Sequence, residues 1–242
     1  MKENTTLRIG GLTPFTTADY PNHLACTVFI NGCPWRCGYC HNTHLQNRAA
    51  QTAIAWSEVL RLLESRQGLI DAIVFSGGEP TMEAALPLAI KEARKLGFKI
   101  GLHTAGIYPK RFKEILPLLD WVGFDIKADW TDYDAVTGIK NSAKNAQKSL
   151  EYLLEQGIDY ECRTTIHPAL HNESQLQALI QRLSQHYKIK RYILQAFRAT
   201  GCESEHLKRN ITTDYPIQAL IDYASDQFAD FEYRATKGSF LS

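Results

Sequence analysis

LACTVFINGCPWRCGYCHN, residues 24–42, carries a run of apolar and β-favouring side chains straight into a loop with three cysteines, Cys33, Cys37 and Cys40. Val, Ile, Phe and Thr suit a pleated, buried surface, so 24–30 reads as a strand. Gly32, Pro34 and Gly38 then interrupt any regular element and leave the thiols on a loop at the strand's C-terminal end. In parallel α/β barrels that end is the face on which active sites are built.

Five further runs read the same way: DAIVFS (71–76), FKIGLHT (98–104), WVGFDIK (121–127), IDYECRTTI (158–166) and RYILQAF (191–197). Between them lie stretches of helical period at 56–66, 83–96, 109–119, 142–156 and 173–186, with another at 214–228. Ser57 with Glu58 supplies a start signal, and Gly97 and Gly157 supply stops. Strands alternating with helices wind a parallel sheet through right-handed crossovers, and six such units predict an α/β fold, an incomplete (β/α)6 TIM-like barrel. Residues 1–23 read as an N-terminal extension made of an extended segment and a turn, about 24–197 as the partial-barrel core, and 198–242 as a C-terminal extension whose 229–235 stretch suits an added edge strand. With no linker, repeat or low-complexity stretch, 1–242 is expected to be a single domain.

Composition narrows the function. Hydrophobic residues make up 44% and charged ones 22%, and 27 Lys and Arg against 26 Asp and Glu leave a net charge of +1. No global field therefore draws the chain to nucleic acid or to anionic lipid, and no apolar run approaches the roughly 20 residues of a membrane span. MKENTTLRIGG lacks a signal peptide's apolar core, so the expected location is cytoplasmic, where clustered thiols point to metal or catalysis rather than to disulfides.

Thiolates are soft ligands for zinc and for iron–sulfur clusters, both of which ordinarily take four donors. Three cysteines leave one place open. A structural zinc would recruit His41 or His44 and make the chain a zinc-stabilised binding module. A four-iron cluster would keep one iron free for a substrate or cofactor. The CxxxCxxC spacing differs from the paired CxxC knuckles of zinc ribbons.

CxxxCxxC with Tyr39 before its last cysteine, on the loop after the first strand, resembles the radical S-adenosylmethionine (SAM) superfamily. FSGGEP (75–80) ends the second strand where that family carries a GGEP segment against the methionine amino group of its cofactor; Gly77, Gly78, Glu79 and Pro80 match it letter for letter. HTAG (103–106) and DIK (125–127) end the third and fourth strands, where activating enzymes of glycyl-radical proteins often have DTNG and DxK. Thr104, Gly106, Asp125 and Lys127 match. His103 stands where the relatives often carry an aspartate that helps form a monovalent-cation site. Arg163, Gln195 and Arg198 suit the cofactor's carboxylate or ribose, and Tyr39 would wall its adenine.

The resemblance implies one [4Fe-4S] cluster on Cys33, Cys37 and Cys40, with S-adenosylmethionine chelated to the open iron. It implies reductive cleavage to methionine and a 5′-deoxyadenosyl radical, fed by an electron donor such as reduced flavodoxin. IGGLTPF in the preface, DYP before the first strand, CHN after the cysteines and LQAF-R at 194–198 resemble more closely the activating proteins of the anaerobic (class III) ribonucleoside-triphosphate reductase. The partner would then be that large glycyl-radical protein, and the hydrogen removed the α-hydrogen of one of its glycines. An activase for another glycyl-radical enzyme, or a small-molecule enzyme such as 7-carboxy-7-deazaguanine synthase, shares the same motifs. Cys26 and Cys162 read as buried small hydrophobes, Cys202 lies in a TGCES loop, and His23, His167, His171, His186 and His206 read as surface or loop residues.

Overall fold

A computed structural model describes residues 7–49, 54–211 and 215–235. Its sheet has eight strands in sequence order: β1 (Ile9–Thr16), β2 (Ala25–Ile30), β3 (Ala72–Gly77), β4 (Lys99–Thr104), β5 (Trp121–Asp125), β6 (Asp159–Ile166), β7 (Arg191–Ala196) and β8 (Asp230–Arg234). β1 pairs antiparallel with β2, and every later pairing is parallel. β1 and β8 are the two edges, so the sheet is an open, partial TIM barrel.

The helices between strands are α1 (Trp56–Ser65), α2 (Leu86–Lys95), α3 (Pro109–Ile115), α4 (Tyr133–Thr137), α5 (Ser142–Gln156), α6 (Glu173–Gln181), α7 (Glu205–Arg209) and α8 (Ile217–Gln227). All six expected strands form within two residues of their predicted bounds. The preface contains a strand rather than only an extended segment, and the expected edge strand at 229–235 joins in parallel with α8 as its crossover. α2 starts later than the period suggests because Pro80–Met82 make a 3-10 turn first. α6 starts at a capping box in which Asn172 and Gln175 satisfy each other's backbone N–H, and it continues past Gln181 as a π-helical turn over Arg182–His186. α4 and α7, five residues each, are too short to leave a helical period.

Strand side chains alternate between two environments. Cys26, Val28, Ile73, Phe75, Leu102, Val122, Phe124, Cys162 and Tyr192 are buried in the main core with the helices, as expected for Cys26 and Cys162. Across the sheet, Ala25, Ala72, Val74 and Trp121 gather around Tyr20. Tyr20 stacks on Trp121 with ring centroids 5.2 Å apart, so the DYP turn stops the barrel's lower end. His167 and His171 are not surface residues: both are buried. Each ring accepts a backbone N–H on Nδ1, from Ala169 and from His167 respectively, and gives its Nε2 proton to a carbonyl, of Leu207 and of Lys127. Burial pulls both imidazoles below their ordinary range, so a neutral His167 ring ties the end of β6 to the C-terminal extension and a neutral His171 ring ties the same loop to the end of β5.

Candidate active site

The cysteine loop leaves β2 at Asn31 and folds back on itself. Gly32 N–H donates to the Leu45 carbonyl at 2.7 Å, Arg36 N–H to the Thr137 carbonyl at 2.8 Å, and Cys40 N–H to the Cys37 carbonyl at 3.1 Å. The Arg36 guanidinium ties the loop's interior by donating to the carbonyls of Cys33 and Trp35. Cys33, Cys37 and Cys40 all remain unbridged and line one cavity of about 190 Å³.

GGEP lies against this loop, backbone to backbone. Glu79 N–H donates to the Gly32 carbonyl and Gly78 N–H to the Ile30 carbonyl, each at 2.8 Å. Gly77 has φ +112°, and a Cβ there would strike the Ile30 backbone, while one on Gly78 would strike the Gly32 carbonyl. The two glycines are thus required by the neighbouring strand's loop as well as by any ligand. Glu79 is buried: Oε1 accepts from Thr81 N–H, Thr81 Oγ1 and Thr104 Oγ1, and Oε2 accepts from Ala105 N–H. Burial raises its pKa, and those four donors work against the rise. Pro80 opens the 3-10 turn and is buried behind Glu79, outside the cavity lining.

Across the cavity, Asp125 at the end of β5 bridges two cations, with Arg163 Nε at 2.8 Å and Lys127 Nζ at 3.1 Å. Gly123 leaves room for the guanidinium, since a Cβ there would sit 2.8 Å from Arg163 Nη1. Burial pushes Asp125 up, but Arg163 and Lys127 outweigh it and hold its carboxyl well below the usual range. Lys127 loses solvation by burial, yet the Asp125 carboxylate outweighs that loss and keeps it firmly protonated. Its Nζ lies 5.5 Å from the centre of the Tyr39 ring. Gln195 donates to Thr165 Oγ1 at 2.6 Å, and both face the cavity. Arg198 does not: its side chain is exposed, and only its carbonyl serves the site, accepting from His41 Nε2 at 2.6 Å.

His103 brings a neutral imidazole to the end of β4. Its Nε2 donates to the Asp19 carbonyl at 2.8 Å, and Asp19 also accepts from Thr27 Oγ1. Burial, and then the Arg163 charge, lower His103 to about 4. Burial likewise pushes the Cys33 thiol up to about 12 and raises Cys37, so ligand binding there must displace protons.

Thr104, Tyr39, Gly77, Gly78, Glu79, Asp125, Lys127, Arg163 and Gln195 are brought to one cavity from five strands and three loops. Ser76, Ile107 and Thr165 also line it and were not singled out in the sequence. Period-2 alternation carries the signal for Thr165: Glu161, Arg163 and Thr165 share the inner face of β6.

A family model described as the radical SAM superfamily matches residues 27–183. The chain belongs to the radical SAM superfamily. A Methanocaldococcus jannaschii protein whose name is that of a glycyl-radical enzyme activating enzyme is 25% identical over 210 residues, 83% of this chain and 84% of the relative. The pyruvate formate-lyase-activating enzyme of Clostridium pasteurianum is 31% identical over 137 residues, 54% of this radical SAM chain and 57% of the relative. Streptococcus suis SuiB bound to S-adenosylmethionine shares the fold at TM-score 0.62 and 18% identity; 84% of this chain spans about half, 48%, of that one.

The family implies a [4Fe-4S] cluster and S-adenosylmethionine, and the residues present fit both. Three thiols supply one donor fewer than a cluster's four irons require, all on one cavity wall. The buried Tyr39 hydroxyl, with no hydrogen-bond partner among the described residues, borders the same cavity.

Proposed function

We propose that this radical SAM chain activates an anaerobic ribonucleoside-triphosphate reductase by generating a glycyl radical on it. Cys33, Cys37 and Cys40 would hold one [4Fe-4S] cluster. When bound, the cluster and S-adenosylmethionine supply one-electron reductive cleavage and hydrogen-atom abstraction, fed by a donor of the flavodoxin class. Gly77, Gly78 and Glu79 would offer carbonyls and a carboxylate to the cofactor's ammonium, with Pro80 fixing the turn and Thr104 holding Glu79 in place. Lys127, ion-paired with Asp125, and Arg163 would present cations to its carboxylate or ribose beside Gln195. Tyr39 excludes water from the wall next to the thiols.

The observation that carries the reading is the unclosed sheet, with β1 and β8 as separate edges. A cavity reached from an open arc can admit a polypeptide loop, and activating enzymes are among the relatives. The reductase in particular is favoured by the IGGLTPF preface, the DYP stop, CHN and LQAF-R. The test is to incubate the reconstituted, reduced chain with the reductase and S-adenosylmethionine and look for a glycyl-radical doublet by electron paramagnetic resonance. Its absence, with S-adenosylmethionine cleavage intact, would remove the reductase as the substrate.

A further inference from the structure

A second cavity, about 660 Å³, opens between the entrance to α3 and the first turns of α5. Ile107 and the Tyr108 and Tyr152 rings form its apolar part, and Ile107 also lines the thiol cavity. Asn145 Nδ2 donates to the Ile107 carbonyl at 3.1 Å and Ser149 Oγ to the Gly106 carbonyl at 2.7 Å, so the wall shared by the two spaces is braced against α5.

The rim is cationic. Lys110, Arg111, Lys144 and Lys148 line it; Glu151, the one carboxylate among the lining residues, pairs with Lys148 at 2.8 Å, so three more cations than anions remain although the whole chain carries a net charge of only +1. The cations are held in place: Lys113 and Lys148 ammonium groups lie 4.4 and 4.8 Å from the Tyr152 ring centre, and Arg111 lies 5.5 Å from that of Tyr108. Arg111 also donates to the Met82 carbonyl just past GGEP. An apolar floor under a positive rim suits a segment that alternates apolar and acidic side chains. The thiol cavity, at about 190 Å³, is too small to take the flanks of a polypeptide whose one residue reaches it.

We propose that this groove seats an acidic, partly apolar polypeptide segment of the protein substrate, flanking the residue presented to the thiol cavity. This rests on the reading of a protein substrate given above. The groove then contributes affinity and register without touching the reacting atoms, and its contribution weakens with salt.

The test uses the reconstituted holoenzyme and a short fluorescent peptide in which Glu alternates with Leu and Val around a central Gly. Its counterpart has Lys at every Glu. Anisotropy should show the acidic peptide binding the wild type, more weakly at higher salt, and the basic one not binding. Lys110→Glu/Lys144→Glu/Lys148→Glu should weaken the acidic peptide at least tenfold. Lys91→Glu/Lys95→Glu/Lys190→Glu, an equal charge change on exposed sites elsewhere, should leave it within twofold. Cleavage of S-adenosylmethionine by the dithionite-reduced groove variant, with no protein partner, should match the wild type. No binding by the wild type, equal binding of both peptides, equal loss in both variants, or a tenfold fall in partner-free cleavage each overturns the groove. If the acidic peptide binds as described while the reductase gains no radical, the groove stands and the choice of reductase fails.

Discussion

Thr104 Oγ1 donates to Glu79 Oε1 at 2.6 Å, joining the end of β4 to the turn that follows β3. Through Glu79 N–H and the Gly32 carbonyl, the same turn is fastened to the cysteine loop after β2. Three consecutive strand ends are thereby held in one register around the thiols, and a disturbance at Glu79 should be felt at all of them.

Glu79→Gln keeps the shape but sets an amide N–H₂ against donors that now meet a carboxylate. One of the four hydrogen bonds is lost and a buried donor is left facing another. We expect about 2 kcal/mol less stability by urea unfolding and at least tenfold weaker S-adenosylmethionine binding. Unchanged binding would show that the carboxylate serves only the loops.

Gly78→Ala directs a methyl group at the Gly32 carbonyl, a backbone atom that cannot rotate away. The GGEP turn and the cysteine loop must separate. The expected cost is about 1–3 kcal/mol, with iron retention after anaerobic reconstitution falling well below wild type. Full iron content in this variant would mean that the two loops are not coupled.

Asp125→Asn leaves Arg163 and Lys127 facing each other with no anion between them. The carboxylate is about a quarter exposed, at 28%, so the loss should lie near the lower end for a broken buried pair, about 2–3 kcal/mol. Because Asp125 is held low by its cations, its stabilisation is complete above pH about 4 and is lost as pH falls further. The stability gap between wild type and variant should therefore narrow in acid, which thermal melts at pH 7 and pH 3 would reveal.

His103 acts in a different pH window. An unfolded imidazole takes up its proton near 6.5 and the folded one only near 4, so the unfolded state gains protons first as pH drops. Stability falls between those values and levels off below them, with His103 contributing on the order of 3 kcal/mol. His103→Gln, which can still donate to the Asp19 carbonyl, should flatten that part of the profile. His41, His167 and His171 are lowered in the same direction and keep the remaining slope. Superimposable melting curves from pH 7 to pH 4 would remove His103 from this role.

The barrel strands were legible in the sequence because each is a short β-branched or aromatic run bounded by Gly, Asp or a helical period. The thiols, GGEP and the later strand ends were legible from spacing and place along the chain. Hydrogen-bond direction was not: that Glu79 serves Thr81, Thr104 and Ala105, or that Arg163 pairs with Asp125, follows only when parallel strands set distant residues side by side. His167 and His171 do lie in a loop, between β6 and α6, but histidine next to a proline and an asparagine gives no sign that the loop is buried. Their burial depends on backbone partners supplied by Lys127 and Leu207. Arg198 sits one residue past a buried Phe197, and that single step turned its side chain outward.

The most direct test of the proposed function follows one hydrogen atom. The reductase is prepared with deuterium at the α-carbon of its glycines and incubated anaerobically with the reconstituted chain, a reductant and S-adenosylmethionine, and the 5′-deoxyadenosine formed is weighed by mass spectrometry. Transfer of one deuterium into that product, abolished by Cys37→Ala, is the predicted result. Undeuterated 5′-deoxyadenosine from the wild-type chain, formed at the same rate with and without the reductase, would contradict it.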